Sequence, residues 1–382
     1  MERWTSFSQL GRDLRVLRLR AQGGHLSPLV RGEAKTSKPE RVETKPDLGF
    51  RSVRIETRVQ ETPDAVSLKL KAVDAPLAPH RAGQFLTLEV VVDERTYRRA
   101  YSISSAEGEP IQVSIKRIDG GVVSTHLTTR AKAGDILRVL GPSGTFGYTS
   151  TPEHALIVAG GSGITPCIAI AETLLRDGSR VTLVYGSRSW EDIIFRERLE
   201  ELSEQYDARL TVDYVTEAAH AQSVEGRLDA KTLRERLKAV GAPKNAAVFL
   251  CGPAAMMEAA RPVFLDLGFE NVREERFVSA RPKPVRRVAE GHMITILRPG
   301  GRIDAPSAGT LLESGLAAGV DMPFSCSVGG CATCKVKLVE GEVRHDELSC
   351  LSDDEKSQGY VLACCAEAAT SCTIELLAKG KS

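Results

Sequence analysis

The sequence lacks an excess of charge of either sign: 51 Lys and Arg stand against 50 Asp and Glu, a formal net charge of +1. So close a balance gives no general electrostatic reason to bind nucleic acid, and partners must be sought locally. No apolar run approaches the roughly 18 residues of a membrane-spanning helix. The N-terminus also lacks the compact apolar segment of a secretion signal. The expectation is a cytoplasmic protein, where thiols stay reduced, so a disulfide framework is not expected of the 9 cysteines. Hydrophobic residues at 42% and charged residues at 26% match soluble globular chains, which excludes wholesale disorder or a collagen-like sequence. No internal repeat is visible.

What is present falls into successive textures, and 382 residues are enough for two or three domains. Residues 1–50 form an extension. In it Phe7, Leu10, Leu14 and Leu17 recur at spacings of three and four among Arg12, Arg15, Arg18 and Arg20, which predicts a short basic amphipathic helix. The roles open for it are peripheral membrane or partner contact through residues 6–21, a helix folded onto its own protein, or a frayed leader. Residues 51–148 carry short alternating runs such as "SVRIETRVQ" and "QFLTLEVVV" between turn residues, the pattern of an antiparallel barrel or sandwich. Over 149–278, apolar runs such as "HALIVAGG" and "AAVFLCGP" alternate with helical stretches, which predicts a parallel α/β sheet. A Pro-rich basic linker at 279–291 leads into a third domain, 292–382.

That domain holds seven of the cysteines, three of them in "CSVGGCATC". Cys326, Cys331 and Cys334 are spaced C-x4-C-x2-C, with a further thiolate available downstream in "LACCAE", the plant-type [2Fe-2S] arrangement. Two bridged irons need four thiolates; one loop supplies three and a separate segment the fourth. The small residues Gly329, Gly330 and Ala332 leave room for backbone N–H groups to face the sulfurs. A structural zinc site also uses four cysteines, although zinc sites usually pair one C-x2-C with a second. Cys350 and Cys372 read as small core residues.

With these motifs in hand, the third domain resembles a plant-type ferredoxin of β-grasp type, and the two before it resemble the ferredoxin-NADP reductase superfamily. The resemblance covers roughly residues 51–382. It implies a multidomain chain: an antiparallel β-barrel FAD domain, an α/β parallel-sheet NAD(P) domain and a β-grasp-type ferredoxin domain. It aligns Cys364, rather than Cys365, as the fourth cluster ligand beside Cys326, Cys331 and Cys334.

The resemblance also implies roles upstream. In "RRAYSISS", Arg99 suits a flavin pyrophosphate, Tyr101 a flavin ring and Ser102 the flavin edge that receives hydride, with Ala100 between them. Lys116 of "VSIKR" runs along the ribityl and adenosine side. Gly121, Val122, Val123 and Ser124 of "GGVVS" form a second phosphate-contacting turn. FAD is the expected flavin, with FMN as the alternative. "GGSGITP" is not G-x-G-x-x-G, yet it supplies Gly161, Gly163 and Thr165 at a strand-to-helix turn where helix N–H groups favour phosphate. Ser187 and Arg188 would read the adenosine ribose, for NADPH or NADH with a slight lean to NADPH. Cys251, Gly252 and Pro253 would face the nicotinamide, and Phe277 would cover the flavin. Ser102, Thr165 and Cys251 are the candidate catalytic residues.

A reductase followed by a ferredoxin resembles the reductase components of phenylacetyl-CoA oxygenase, steroid hydroxylase and membrane fatty-acid desaturase systems. The implied activity is electron transfer from NAD(P)H through FAD and a [2Fe-2S] cluster, one electron at a time, to an oxygenase, hydroxylase or desaturase partner. The competing readings are a redox-sensing interaction protein without sustained turnover, and a flavin reductase with a structural zinc tail. No acid–base dyad is evident. His126, His220, His292 and His345 are scattered and read as surface or capping residues.

Overall fold

The computed structural model describes residues 49–277, 291–324, 326, 328–345 and 351–377. The expected N-terminal helix, nearly all of the expected linker and Cys350 lie outside them.

The alternating runs after residue 50 become β1 (Arg51–Thr62), β2 (Ala65–Ala72), β3 (Phe85–Val92), β4 (Arg95–Ser102), β5 (Gln112–Lys116), helix α1 (Val122–Thr129) and β6 (Ile136–Ser143). The strands pair antiparallel in the order β4-β3-β6-β1-β2-β5. An isolated bridge between Ile103 and Val113 joins the outer strands and closes the sheet into a barrel. Its core includes Ile55, Leu68, Leu86, Leu88 and Ile115. The sequence pattern does not reveal α1, because "VVSTHLTT" is rich in β-branched residues of modest helix propensity. Burial of Val123 and Leu127 in the barrel core outweighs that preference.

The second texture becomes β7 (His154–Gly160), α2 (Ile164–Arg176), β8 (Arg180–Ser187), α3 (Arg196–Tyr206), β9 (Leu210–Thr216), β10 (Val224–Glu225), α4 (Ala230–Val240), β11 (Ala247–Cys251), α5 (Ala254–Leu267) and β12 (Val272–Glu275). The sheet is parallel, in the order β10-β9-β8-β7-β11-β12. One apolar cluster covers each face, with Ile157, Leu183 and Phe249 in one and Leu156, Val158 and Leu250 in the other. Strands buried on both faces read as continuous apolar runs, which is why they stood out. The chain leaves β7 toward β8 on one side and returns later as β11 on the other, so the ends of β7 and β11 form the switch point where such sheets bind ligands. The edge strand β12, "VREE", has a single apolar residue and escapes a hydrophobic pattern.

The third domain runs β13 (Met293–Arg298), β14 (Gly301–Pro306), α6 (Leu311–Ala317), β15 (Lys335–Glu340), β16 (Val343–His345), α7 (Asp353–Ser357), β17 (Tyr360–Leu362), β18 (Ala366–Ala368) and β19 (Cys372–Leu376). Its mixed sheet is ordered β14-β13-β19-β15-β17, with β13 and β19 parallel and the other pairings antiparallel. Strands β16 and β18 make a separate pair. Thr310 and Glu313 cap α6 reciprocally, and Leu311 and Leu312 turn its buried face into the domain core. Among the described residues, no helix is long and apolar enough to cross a membrane.

Candidate functional site

On the barrel, β4 presents Arg99 and Tyr101 half-buried, Ala100 exposed and Ser102 buried. Strand alternation puts Arg99 and Tyr101 on one face and Ala100 and Ser102 on the other. Burial pushes the Tyr101 phenol well above its ordinary range, so it stays neutral. Lys116 lies at the end of β5 with its Nζ 3.7 Å from Asp64. Gly121 precedes α1, and a Cβ there would meet Ser124 Oγ at 2.5 Å and the Ile118 carbonyl oxygen at 2.9 Å. That closeness lets Ser124 Oγ accept from the Ile118 N–H at 3.1 Å, so this hydroxyl braces the turn. No side chain caps α1, which leaves its first-turn N–H groups available to an anion. Beside them runs a groove of about 300 Å³ lined by Gly120, Gly121, Val122, Thr125, His126 and Arg130. His126, half-buried in the last turn of α1, keeps its Nδ1 buried with no hydrogen-bond partner. An orphaned buried polar atom on a residue that lines the groove, beside uncapped amides, fits a phosphate-bearing cofactor.

At the switch point, two turns pack backbone against backbone. A Cβ on Gly163 would sit 2.2 Å from the Cys251 carbonyl oxygen and 2.7 Å from the Gly252 nitrogen, so only glycine allows the contact. Gly161 accepts from the Tyr185 hydroxyl at 3.1 Å, and Thr165 Oγ1 donates to the Ser162 carbonyl at 2.9 Å. Pro253 is the residue from which α5 starts. Cys251 ends β11 fully buried, and burial keeps its thiol protonated. Ser187 Oγ, at the end of β8, is buried and has no partner, a second orphaned group at the edge where a dinucleotide would bind. Arg188 does not stand alone: it contacts Asp64 of the barrel at 2.8 Å and Asp192 at 3.1 Å.

Sequence reasoning missed Glu275. It is the last residue of β12, in register with Cys251 across β11, and it accepts from Ser102 Oγ at 3.5 Å. The residue is half-buried overall, but enclosure of its carboxyl pushes the pKa up to about 8 against the opposing Ser102 hydrogen bond. Ser102 and Cys251 are thus brought together through a residue neither motif contains. The only sequence signal was an acidic residue two before Phe277, itself 45% exposed at the end of the described segment.

In the third domain, Cys326, Cys334 and Cys364 are buried and Cys331 is half-buried. Backbone N–H groups of Val328 and Gly330 point at Cys326 Sγ at 3.5 and 3.3 Å, and the Cys326 N–H points at Cys331 Sγ at 3.4 Å. Cys334 Sγ lies 3.1 Å from Cys364 Sγ. Hydrogen bonding between sulfurs raises Cys326 and Cys334 and lowers Cys331. Among the described residues no three ligating side chains gather as they would for a single metal ion. The sulfurs stand as two pairs, Cys326 with Cys331 and Cys334 with Cys364. Two irons, each needing two thiolates, fit this donor set better than one tetrahedral zinc. Cys365 Sγ is 3.5 Å from Cys364 Sγ and lies against Gly329.

Three family models match in succession: an oxidoreductase FAD-binding domain over residues 53–148, an oxidoreductase NAD-binding domain over 157–262 and a 2Fe-2S iron-sulfur cluster binding domain over 294–369. A component protein of the 1,2-phenylacetyl-CoA epoxidase of Escherichia coli is 35% identical over 87% of this chain and 99% of its own length. The ferredoxin reductase component of the 3-ketosteroid-9-alpha-monooxygenase of Rhodococcus rhodochrous is 31% identical over 84% of this chain and 96% of its own. Among solved structures, phthalate dioxygenase reductase superposes with a TM-score of 0.59 at 26% identity, covering 86% of this chain and 98% of that one.

Proposed function

The chain belongs to the family of FAD-, NAD- and [2Fe-2S]-binding reductase components of oxygenase systems. From that premise we propose that Ser102, Cys251 and Glu275 form the place where nicotinamide and flavin meet, and that Cys326, Cys331, Cys334 and Cys364 hold the cluster. Bound there, FAD would supply two-electron hydride acceptance from NAD(P)H, and the cluster one-electron transfer toward a terminal oxygenase. The observation that carries this reading is Glu275, paired with Cys251 in register and hydrogen-bonded to Ser102.

The chain's own residues divide the remaining work. Arg99 and the uncapped first turn of α1 would hold phosphate, with His126 Nδ1 as a further polar contact. Tyr101, kept neutral, offers a flat ring. Ser102 places a hydroxyl at the reacting edge, and Glu275 retains its proton to about pH 8, so the pair can hold a proton close to that hydroxyl. Cys251, small and protonated, closes the floor of the site against water. Thr165 and Gly163 fix the turn against that floor, and Ser187 offers its unpaired hydroxyl to the dinucleotide. Arg188, already engaged by two carboxylates, is a weakened grip for a 2′-phosphate.

The match to the FAD-binding model decides the flavin in favour of FAD. Relatives that are reductase components of oxygenases support an oxygenase as acceptor and turnover rather than sensing. The two sulfur pairs and the 2Fe-2S family match weigh against a zinc tail. The expected membrane or partner contact through residues 6–21 lies outside the described residues.

Single-turnover reduction of bound flavin by NAD(P)H tests the reading. Ser102→Ala is expected to slow it by about 10²-fold with flavin and iron content unchanged. A wild-type rate in that variant would refute the placement.

A further inference from the structure

Thr87 lies in β3 between Leu86 and Leu88, whose side chains fill the barrel core. Strand alternation turns Thr87 to the opposite, outer face of the barrel. It is nevertheless fully buried, because Cys326 covers it: Thr87 Oγ1 donates to the Cys326 carbonyl oxygen at 2.7 Å. Across the ladder Thr87 is in register with Ala100, and Leu86 with Tyr101. One hydroxyl therefore spans the gap between the strand beside the flavin motif and the backbone of a cluster cysteine.

A second contact sets the same interface. Arg98, on β4, donates through Nε to Glu89 at 3.0 Å and lies over the Phe50 ring, 5.2 Å from its centroid. Thus oriented, it reaches Oε1 of Glu313 in the first turn of α6 at 3.4 Å, while Oε2 of the same carboxylate accepts from the Thr310 N–H at 3.1 Å. All four charged and aromatic groups are largely shielded from solvent, so this contact is less screened than an exposed pair.

We propose that Thr87 is the positioning residue for electron delivery to the cluster, locking the Cys326 loop against the flavin strand, with the Arg98–Glu313 pair as its second anchor. The coenzyme is the reductant and the cluster the one-electron acceptor; Thr87 exchanges neither electrons nor protons. It sets the distance and the fraction of molecules in which the two domains are seated. The inference rests on the flavin and cluster placement proposed above.

The test uses full-length holoprotein whose flavin and iron contents are measured first. Thr87→Val keeps the branched shape and strips the buried carbonyl of its donor, whereas Thr87→Ser keeps the donor. After anaerobic mixing with NADH or NADPH, flavin bleaching in Thr87→Val is expected at the wild-type rate. The reduced-cluster signal, followed by freeze-quench electron paramagnetic resonance, is expected about five- to tenfold later. Thr87→Ser should restore it. Independently of turnover, amide hydrogen exchange over residues 326–334 of the oxidised protein should rise in Thr87→Val and not in Thr87→Ser. Unchanged cluster reduction or unchanged exchange in a fully loaded Thr87→Val protein overturns the inference, as does a Thr87→Ser protein as slow as Thr87→Val. Should Thr87→Val not fold, Arg98→Gln carries the exchange measurement, with faster exchange expected and wild-type protection overturning the proposal. Wild-type protein without iron would sink the underlying cluster reading instead.

Discussion

Cys251 and Glu275 face each other at the ends of neighbouring parallel strands, and the Glu275 carboxyl reaches on to the Ser102 hydroxyl of the barrel. A charged strand at the sheet edge thereby links the nicotinamide-binding domain to the flavin-binding one.

Glu275 makes that link dependent on pH. Its folded pKa, about 8, lies above the ordinary carboxylate value, so folding favours the protonated form. Its contribution to stability is full below the unfolded pKa and falls as pH rises toward the folded one. Glu275→Gln should therefore lose less thermal stability between about pH 5 and 8, by a few degrees relative to wild type. Scanning calorimetry across that range checks it; parallel curves for the two proteins would contradict it. The pH profile of flavin reduction should likewise lose a step near pH 8 in the variant.

Gly163→Ala would drive a Cβ to within 2.2 Å of the Cys251 carbonyl oxygen. Backbone cannot yield cheaply there, and a loss of about 1–3 kcal/mol is expected by denaturant unfolding. The displaced turn should also raise the KM for NAD(P)H, while Gly178→Ala, strained by its φ of +95° at the other end of α2, should cost stability and leave that KM unchanged.

Cys364 and Cys365 are neighbours in sequence, yet the Cys364 sulfur is the one that pairs with Cys334, at 3.1 Å. Cys364→Ser is expected to lose most of the iron and the visible cluster absorbance, and Cys365→Ser to keep both. The reverse pattern in iron and sulfide analysis would exchange their roles.

Arg188 is held by Asp64 and Asp192 and remains 61% exposed, so each pairing is worth about 1 kcal/mol or less. Removing one carboxylate in Asp64→Asn should release the guanidinium and shift the kcat/KM ratio toward NADPH by up to about fivefold. No shift in the ratio would show that Arg188 does not touch the ribose.

The strands of the barrel and of the parallel sheet could be read in advance because their apolar residues repeat with the period of the backbone. The three-cysteine loop stands out because its thiols are close in sequence. Glu275 and Thr87 were not, for a shared reason. Each is polar in a strand where alternation or edge position implies exposure, and each is enclosed by a residue from another domain, Ser102 for Glu275 and Cys326, 239 residues away, for Thr87. Helix α1 was hidden by its β-branched residues, and the buried face of His126 by the absence of any ligating neighbour in sequence.

The central claim is that one chain carries hydride electrons from coenzyme to flavin and onward to a two-iron centre. Anaerobic titration of the purified holoprotein with NADH and NADPH, followed together by visible absorbance and electron paramagnetic resonance, tests it most directly. The expected result is bleaching of the flavin bands accompanied by the signal of a reduced [2Fe-2S] cluster. Flavin that bleaches while no such signal develops, or protein that holds zinc instead of iron, would contradict it.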